Sequence, residues 1–588
     1  MIIETSFANG GHLASSLGAV ELAMALTEVF EPTKDRIVWD VGHQAYAWKI
    51  LTGRDGGFRT LRQVDGVAPF PLPRESPADA AVSGHAGSAL SVALGLAAAR
   101  DCRGSDEQIV AVVGDSAMSN GHSLEALNNC HAATRKVILV LNDNAMSISR
   151  SVGALSGLLG RLLSNVHYNR VKSATERVGH RLGLTFLREM YHKAESRVKG
   201  LFLASRFFEQ FGLRYIGPVD GHNLSALRAA LVVAKEDKRS VVVHVVTKKG
   251  KGYPPAEEDP TRYHGVSTGR NSERAAVPSA SWSETFGEAV RAAAREDGRI
   301  FALTAGMTDG TGLSGFAREF PERFRDVGIA EGHMVAFAAG LAAGGLRPVV
   351  AVYSTFLQRA VDQVMHDVCI ANLPVVFCVD RAGVVGADGV THQGLYDIAM
   401  LRTLPNLTIC QPKDADDLKA LLDEALKRNG PTVIRYPRGN CSNVRMFECS
   451  NAGDGCVETG HSNIRTFEHS NIAIWATGDQ LEKAYAVAAA FPGSEVVFAR
   501  YLKPFDAEAL KRCRAGGRLV VSIENGAVAG GFGEAIGADF KFGWPDAFIP
   551  HGAIPELERR YHLDVDSIVA TINRTIRTIE QPNNSSYG

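Results

Sequence analysis

The chain has 588 residues, too many for a single hydrophobic core, and implies about three domains. Hydrophobic residues make up 45% and charged residues 22%, with a formal net charge of −1, which excludes a disordered chain and offers no basic surface for nucleic acid. Its nine cysteines include no CxxC pair, and Cys441, Cys449 and Cys456 lack zinc-type spacing, so reduced thiols in a cytoplasmic enzyme are expected.

The opening MIIETSFANGGHLASS has no basic region followed by an apolar stretch, which argues against a signal peptide. Strand-like runs at 109 to 113, 137 to 141 and 241 to 247 alternate with helical segments, as in a parallel doubly wound sheet. The stretch from Tyr253 to Ser281 is rich in Pro, charge and small residues and reads as a linker. A second α/β unit follows, with strands near 300 to 304, 348 to 353, 374 to 380 and 432 to 436. Within it MVAFAAGLAAGGL, 334 to 346, is too short and Gly-rich to span a bilayer and is expected to be a buried helix. Residues 441 to 470 are polar and unpatterned and read as a second connection. A third α/β unit begins at NIAIWATG, passes through RLVVSIEN and leads to a tail, EQPNNSSYG, expected to be disordered. The fold class is therefore α/β, in three doubly wound domains of mostly parallel sheets over 1–265, 282–440 and 466–580.

The run from Ile109 to Met146 carries the first chemical signal. One apolar strand ends in Gly114-Asp115 and the next in Asn142-Asp143-Asn144, which puts Asp115 and Asn144 at the carboxyl ends of two strands of one βαβ unit, where α/β sheets bind ligands. A carboxylate, a carboxamide and the Met146 carbonyl are hard oxygen ligands suited to Mg²⁺, and the amides of Ser116 and Ala117 can face phosphate oxygens. An ordinary strand-to-helix turn would explain Gly-Asp alone, but the arrangement resembles the diphosphate-binding motif of thiamine diphosphate enzymes, GDG followed at a distance by N, with Ser116 as the third residue. Such a cofactor needs a carboxyl group in a dry pocket beside its aminopyrimidine ring. Glu331, at the start of the apolar helix, is the candidate, although a helix-capping acid would look the same, and Phe356 could stack on the ring.

Longer segments make the resemblance specific. GGHLASSLGAVEL, WDVGHQAYAWKILTGR, NDNAMSIS, YIGPVDGHNL, TKKGKGYPPAE, YSTFLQRAVDQVMHDV, DRAGVVGADGVTHQG, RYPRGN and GWPDAFIPHG together resemble the 1-deoxy-D-xylulose-5-phosphate synthase family, from about Gly10 to residue 575. The resemblance implies a cytoplasmic homodimer of the transketolase superfamily, using thiamine diphosphate and Mg²⁺. It would decarboxylate pyruvate and join the remaining two carbons to D-glyceraldehyde 3-phosphate, the first step of non-mevalonate isoprenoid synthesis, which also feeds thiamine and pyridoxal phosphate synthesis.

By the same resemblance Asp115, Asn144 and Met146 match the metal ligands. His43, Gly84, His85, Ala86, Ser116, Ala117, Asn144, Lys249 and Tyr253 match cofactor contacts, and Glu331 matches the pyrimidine-activating acid. His12, His43 and His392 would surround the reactive carbon, where imidazoles can move protons near neutral pH. Arg381 and Arg438, with Tyr353, Arg359 and Asp388, match the acceptor pocket, since planar guanidinium groups suit bidentate phosphate binding; a pair of interdomain salt bridges is the structural alternative.

The chain also departs from the family pattern. It begins about nine residues before GGHLASS, where the family normally carries a further helical segment, so a short or truncated N-terminus is expected. Ala86-Gly87 replaces a pair of serines, Ser116 a glycine, Gly332 a common glutamine and Trp48 a frequent histidine, and weaker cofactor binding is expected. Two other functions stay open at this point. One is a different ketoacid-decarboxylating carboligase; the other is a catalytically weakened paralogue acting as a regulatory partner.

Overall fold

The computed structural model describes residues 1–144, 205–266, 280–441, 456–459, 462–465, 472–515 and 517–580. The chain divides into two compact units, Met1–Ala275 with Val327–Ala330, and Ala276–Asp326 with Glu331–Gly588.

The first unit is built on five strands, β1 (Arg36–Trp39), β2 (Ile109–Gly114), β3 (Ile138–Asp143), β4 (Arg214–Asp220) and β5 (Val241–Val246), in the order β1-β2-β3-β5-β4. Every pairing is parallel. A parallel sheet is covered on both faces, so its strands must be apolar at successive positions. That is what the sequence supplies: Val110, Val112, Ile138 and Val140 pack with Leu22, Leu26 and Trp39 on one side, while Ala111, Val113, Leu139 and Leu141 pack with Leu90, Leu94 and Leu127 on the other. The helices Gly121–Ala133 and Leu224–Glu236 start at Asn120 and Asn223, whose side chains accept backbone N–H groups.

The second unit holds two sheets. Strands β6 (Ile300–Thr304), β7 (Phe324–Asp326), β8 (Arg347–Tyr353), β9 (Val376–Asp380), β10 (Thr408–Cys410), β11 (Thr432–Arg435) and β16 (Tyr501–Lys503) form one, in the order β16-β10-β11-β9-β8-β6-β7. Only β16 runs antiparallel in it. The helix Trp282–Glu296 opens with a capping box between Ser281 and Glu284 and lays Phe286 and Val290 on this sheet's core. The other sheet has β12 (Cys456–Thr459), β13 (Ser462–Arg465), β14 (Ile472–Thr477), β15 (Glu495–Ala499), β17 (Leu519–Ala527) and β18 (Phe540–Trp544), in the order β12-β13-β15-β14-β17-β18.

Three expectations change. Residues 441 to 470 were expected to be a connection without pattern, yet β12 and β13 form a hairpin that pairs antiparallel to β15, because backbone pairing needs no apolar alternation at a sheet edge. The stretch from Tyr253 is not linker at its start: Pro254–Glu258 is helical, and Val266 bridges Gly11. The apolar helix, Glu331–Ala343, is only half buried. Met334, Val335, Ala338, Ala339 and Ala342 face the core, and Ala336, Phe337, Gly340 and Ala343 are exposed. Met146 and the tail beyond Glu580 lie outside the described residues. Among the described residues no helix is long and apolar enough to cross a membrane, and seven cysteines are unpaired, all but Cys102 buried.

Candidate functional site

In the first unit the sequence-predicted residues gather at the carboxyl ends of neighbouring strands. Asp115 follows β2, Asn144 follows β3, and Lys249 stands three residues after β5. Strand register sets Gly114 opposite Asn142, so the chain leaves the sheet at one level on both strands. Asp115 opens the short helix Asp115–Met118; it and Ala117 are buried, with Ser116 partly exposed. Lys249 is buried as well, and burial pushes its ammonium down to about 8 against the pull of the Asp115 carboxylate. A buried carboxylate and a buried ammonium at the ends of β2 and β5 match the two parts of a metal diphosphate, with hard oxygen for the cation and a positive charge for the anion. The donor set therefore fits Mg²⁺ and a diphosphate.

The turn Gly84-His85-Ala86-Gly87 is tied to the end of β1 by Asp40, which accepts the Gly87 amide with both oxygens at 2.9 Å and the Ala89 amide at 3.2 Å. Gly87 has a φ of +87°, and a Cβ there would lie 2.4 Å from Asn120 Oδ1, so the second small residue of this turn is a steric requirement. Trp48, another departure, is fully buried and donates to Asp79 Oδ1 at 3.1 Å, which makes it a core residue.

His12 and His43 come together, their ring centres 6.0 Å apart. A third histidine joins them. His264 lies 5.8 Å from His12 and 5.5 Å from His43, centre to centre, and Ser15 Oγ is 3.4 Å from its Nδ1. Burial, then Lys249, His43 and His12, hold its pKa well below the usual imidazole range, so it is neutral. Sequence reading missed His264 because it sits in the stretch taken for a linker; Tyr263-His264-Gly265, an aromatic and a histidine amid charge, was the available signal. Tyr253 packs edge-on with Phe7 and Tyr263 at 6.2 and 5.8 Å, an aromatic trio rather than a member of the histidine group.

The second unit carries the other set. Glu331 is the first residue of its helix and is buried, and Arg359 Nη1 lies 3.8 Å from its Oε2. Arg359, read from sequence as an acceptor contact, thus stands against the acid. Tyr353, Arg381 and Arg438 follow from the ends of β8, β9 and β11, three adjacent strands. The Arg381 guanidinium is 3.8 Å from the Tyr353 ring centre, and Arg438 Nη1 is 3.5 Å from Asp388 Oδ2. Burial holds the Tyr353 phenol above its usual pKa, opposed first by Arg381 and also by Arg438, which places both cations in its field. Phe356 stacks on Tyr353 at 5.8 Å and meets His392 edge-on at 5.7 Å, while Thr391 Oγ1 lies 3.0 Å from His392 Nδ1. Planar guanidinium groups at neighbouring strand ends are of the kind that can bind a doubly charged phosphate.

Residues 1–247 match the family model described as 1-deoxy-D-xylulose-5-phosphate synthase, and 278–443 match transketolase, pyrimidine binding domain. The "1-deoxy-D-xylulose-5-phosphate synthase 1" of Geobacter metallireducens is 45% identical to the chain, covering 97% of it and 94% of the relative. The "1-deoxy-D-xylulose-5-phosphate synthase" of Natranaerobius thermophilus is 43% identical, covering 98% of the chain and 94% of the relative, and that of Desulforudis audaxviator 44% identical, covering 97% and 92%.

Proposed function

The chain belongs to the 1-deoxy-D-xylulose-5-phosphate synthase family, and we propose that the two residue sets just described divide its reaction between them. It is a thiamine diphosphate-dependent transferase of the transketolase type, which decarboxylates pyruvate and condenses the two-carbon unit with D-glyceraldehyde 3-phosphate at the entry to isoprenoid synthesis. When bound, thiamine diphosphate supplies a nucleophilic carbon for the ketoacid and an electron sink for the pair left by CO₂.

The protein's own groups do the rest. Asp115 and Asn144, with Met146, hold Mg²⁺, and Lys249 with the turn Gly84-His85-Ala86 and the Ser116 and Ala117 amides holds the diphosphate. Glu331 is the acid for the aminopyrimidine ring, with Arg359 beside its carboxyl group. His12, His43 and His392 move protons, and the neutral His264 orients the first two. Arg381 and Arg438 bind the acceptor phosphate; Tyr353 and Asp388 hold them in place. What supports the acceptor assignment is that the Arg381 guanidinium lies over the buried Tyr353 while Arg438, from the neighbouring strand end, pairs with Asp388.

The half-exposed helix supports a homodimer. Phe337 projects from it, and Met365 and Ile370 are exposed on and beside the neighbouring segment Val364–Cys369, at 44% and 70%. An apolar face of this kind is covered in solution, and a second copy of this chain covers it. The domain limits are set at 1–265, 282–440 and 466–580, with β12 and β13 joining the third sheet from before its limit and β16 joining the second sheet from beyond its own, in a cytoplasmic enzyme with reduced thiols. Incubation with pyruvate, glyceraldehyde 3-phosphate, thiamine diphosphate and Mg²⁺, followed by mass detection, tests the function. A deoxypentulose phosphate that disappears when the cofactor is omitted is the expected result, and no product with all four present counts against it.

A further inference from the structure

Strand β3 runs out through Asn142 and Asp143 into Asn144, and only the last of these has so far had a task. The first two are almost fully buried, and both are hydrogen-bonded across the sheet. The Asn142 amide donates to Gln44 Oε1 at 2.9 Å, while Thr247 Oγ1 donates to Asn142 Oδ1 at 2.7 Å. Gln44 is next to His43, and Thr247 is two residues before Lys249. On the opposite face, His244 Nε2 lies 3.0 Å from Asp143 Oδ2, and the Tyr215 hydroxyl 2.7 Å from His244 Nδ1. A carboxylate only accepts, so Nε2 carries a proton toward Asp143, and the phenol, which burial keeps protonated, pairs with Nδ1.

Four of these six polar residues, Asn142 and Asp143 on β3, His244 on β5 and Thr247 just past its end, stand one or two positions beyond buried aliphatic side chains: Val140 and Leu141 on β3, Val243 and Val245 on β5. Exchanging a buried polar network for well-packed hydrophobic groups is often neutral or stabilising, so stability does not explain the choice. What distinguishes the positions is that each chain of bonds ends beside a residue of the cofactor site. A fully satisfied buried network is also stiff, because every member holds its neighbour's orientation.

We propose that Gln44, Asn142 and Thr247 on one face of β3, and Asp143, His244 and Tyr215 on the other, are positioning residues for the metal and diphosphate site. They fix the strand ends that carry His43, Asn144 and Lys249 before the cofactor arrives. The proposal rests on the reading that Asn144 and Lys249 face a metal diphosphate.

The test compares Thr247→Val, which keeps the shape and removes the hydroxyl, with Thr247→Ser, which restores it, and adds Tyr215→Phe on the other face. The readouts are Mn²⁺ affinity of the full chain by electron paramagnetic resonance in the presence of thiamine diphosphate, cofactor affinity by calorimetry, thermal midpoint and kcat. Loss of a supporting hydrogen bond behind a metal site typically costs about ten- to a hundredfold in metal affinity. Thr247→Val and Tyr215→Phe are expected to show that loss, with kcat at saturating cofactor falling less than affinity, and Thr247→Ser to recover it. Variants that melt lower but bind Mn²⁺ as tightly as the unaltered chain overturn the proposal and leave a purely structural network. Should Thr247→Val not fold, Tyr215→Phe decides by the same comparison. An unaltered chain that takes up neither Mn²⁺ nor thiamine diphosphate would instead sink the cofactor-site assignment itself.

Discussion

Arg381 lies over the face of Tyr353, its guanidinium carbon 3.8 Å from the ring centre, on a backbone whose φ is +56°. A non-glycine residue is rarely left-handed, and here the neighbouring Asp380 holds the kink by accepting the Arg381 amide at 2.6 Å. Asp380 also accepts from Ser283 Oγ at 2.6 Å. The guanidinium is thus aimed by its ring contact and by its own backbone before any phosphate binds.

Replacing Arg381 or Arg438 with Ala is expected to raise the KM for glyceraldehyde 3-phosphate while the KM for pyruvate changes little. A lost charge-assisted contact costs about 1.5 to 3 kcal/mol, roughly ten- to a hundredfold. Arg381→Lys should recover little of it, because an ammonium lacks the planar fork. Steady-state kinetics with each substrate varied separately measures both; an unchanged acceptor KM removes the phosphate-site assignment.

Glu331→Gln is expected to preserve the fold and most of the cofactor affinity but to slow exchange of the thiazolium proton, because an amide cannot supply a proton to the aminopyrimidine ring. Exchange followed by NMR after acid quench gives the rate. A rate equal to that of the unaltered chain would assign the acid to another residue.

A pH effect on stability should appear at the third sheet. Glu524, near the end of β17, is buried and accepts the amides of Phe532 and Gly533 at 2.7 and 2.8 Å, yet burial still pushes its carboxyl up to about 7. Because this lies above the unfolded value, its favourable contribution is fully present below about pH 4.5 and is lost as pH rises to about 7. Glu524→Gln removes the titration. The difference in thermal midpoint, variant minus unaltered chain, is expected to grow in the variant's favour between pH 5 and 7.5; a constant difference means that Glu524 titrates normally.

Phe337→Asp combined with Ile370→Asp is expected to bring the molar mass in solution from twice the chain's value to 63.0 kDa. Light scattering decides. A mass unchanged by both substitutions places the dimer contact elsewhere.

The parts legible in the sequence were those that a simple physical demand had written plainly. The aliphatic runs of β2 and β3 must satisfy two covered faces, and they lead into the residues proposed to meet the ligand. Strand β1, only four residues long, and β4, interrupted by Gly217-Pro218, left no comparable pattern. The apolar helix from Glu331 read as buried because composition reports hydrophobicity and not what covers it. His264 was hidden because a site residue on a loop carries no periodicity. The pairing of Arg359 with Glu331 depends on a tertiary approach that spacing alone does not encode.

The reaction itself is tested most directly by CO₂ release from carboxyl-labelled pyruvate, measured with and without glyceraldehyde 3-phosphate, beside a parallel assay of xylulose 5-phosphate consumption. The account requires labelled CO₂ to appear with the acceptor in step with a deoxypentulose phosphate, and xylulose 5-phosphate to be left intact. An enzyme that ignores pyruvate but consumes xylulose 5-phosphate without releasing CO₂ would contradict it.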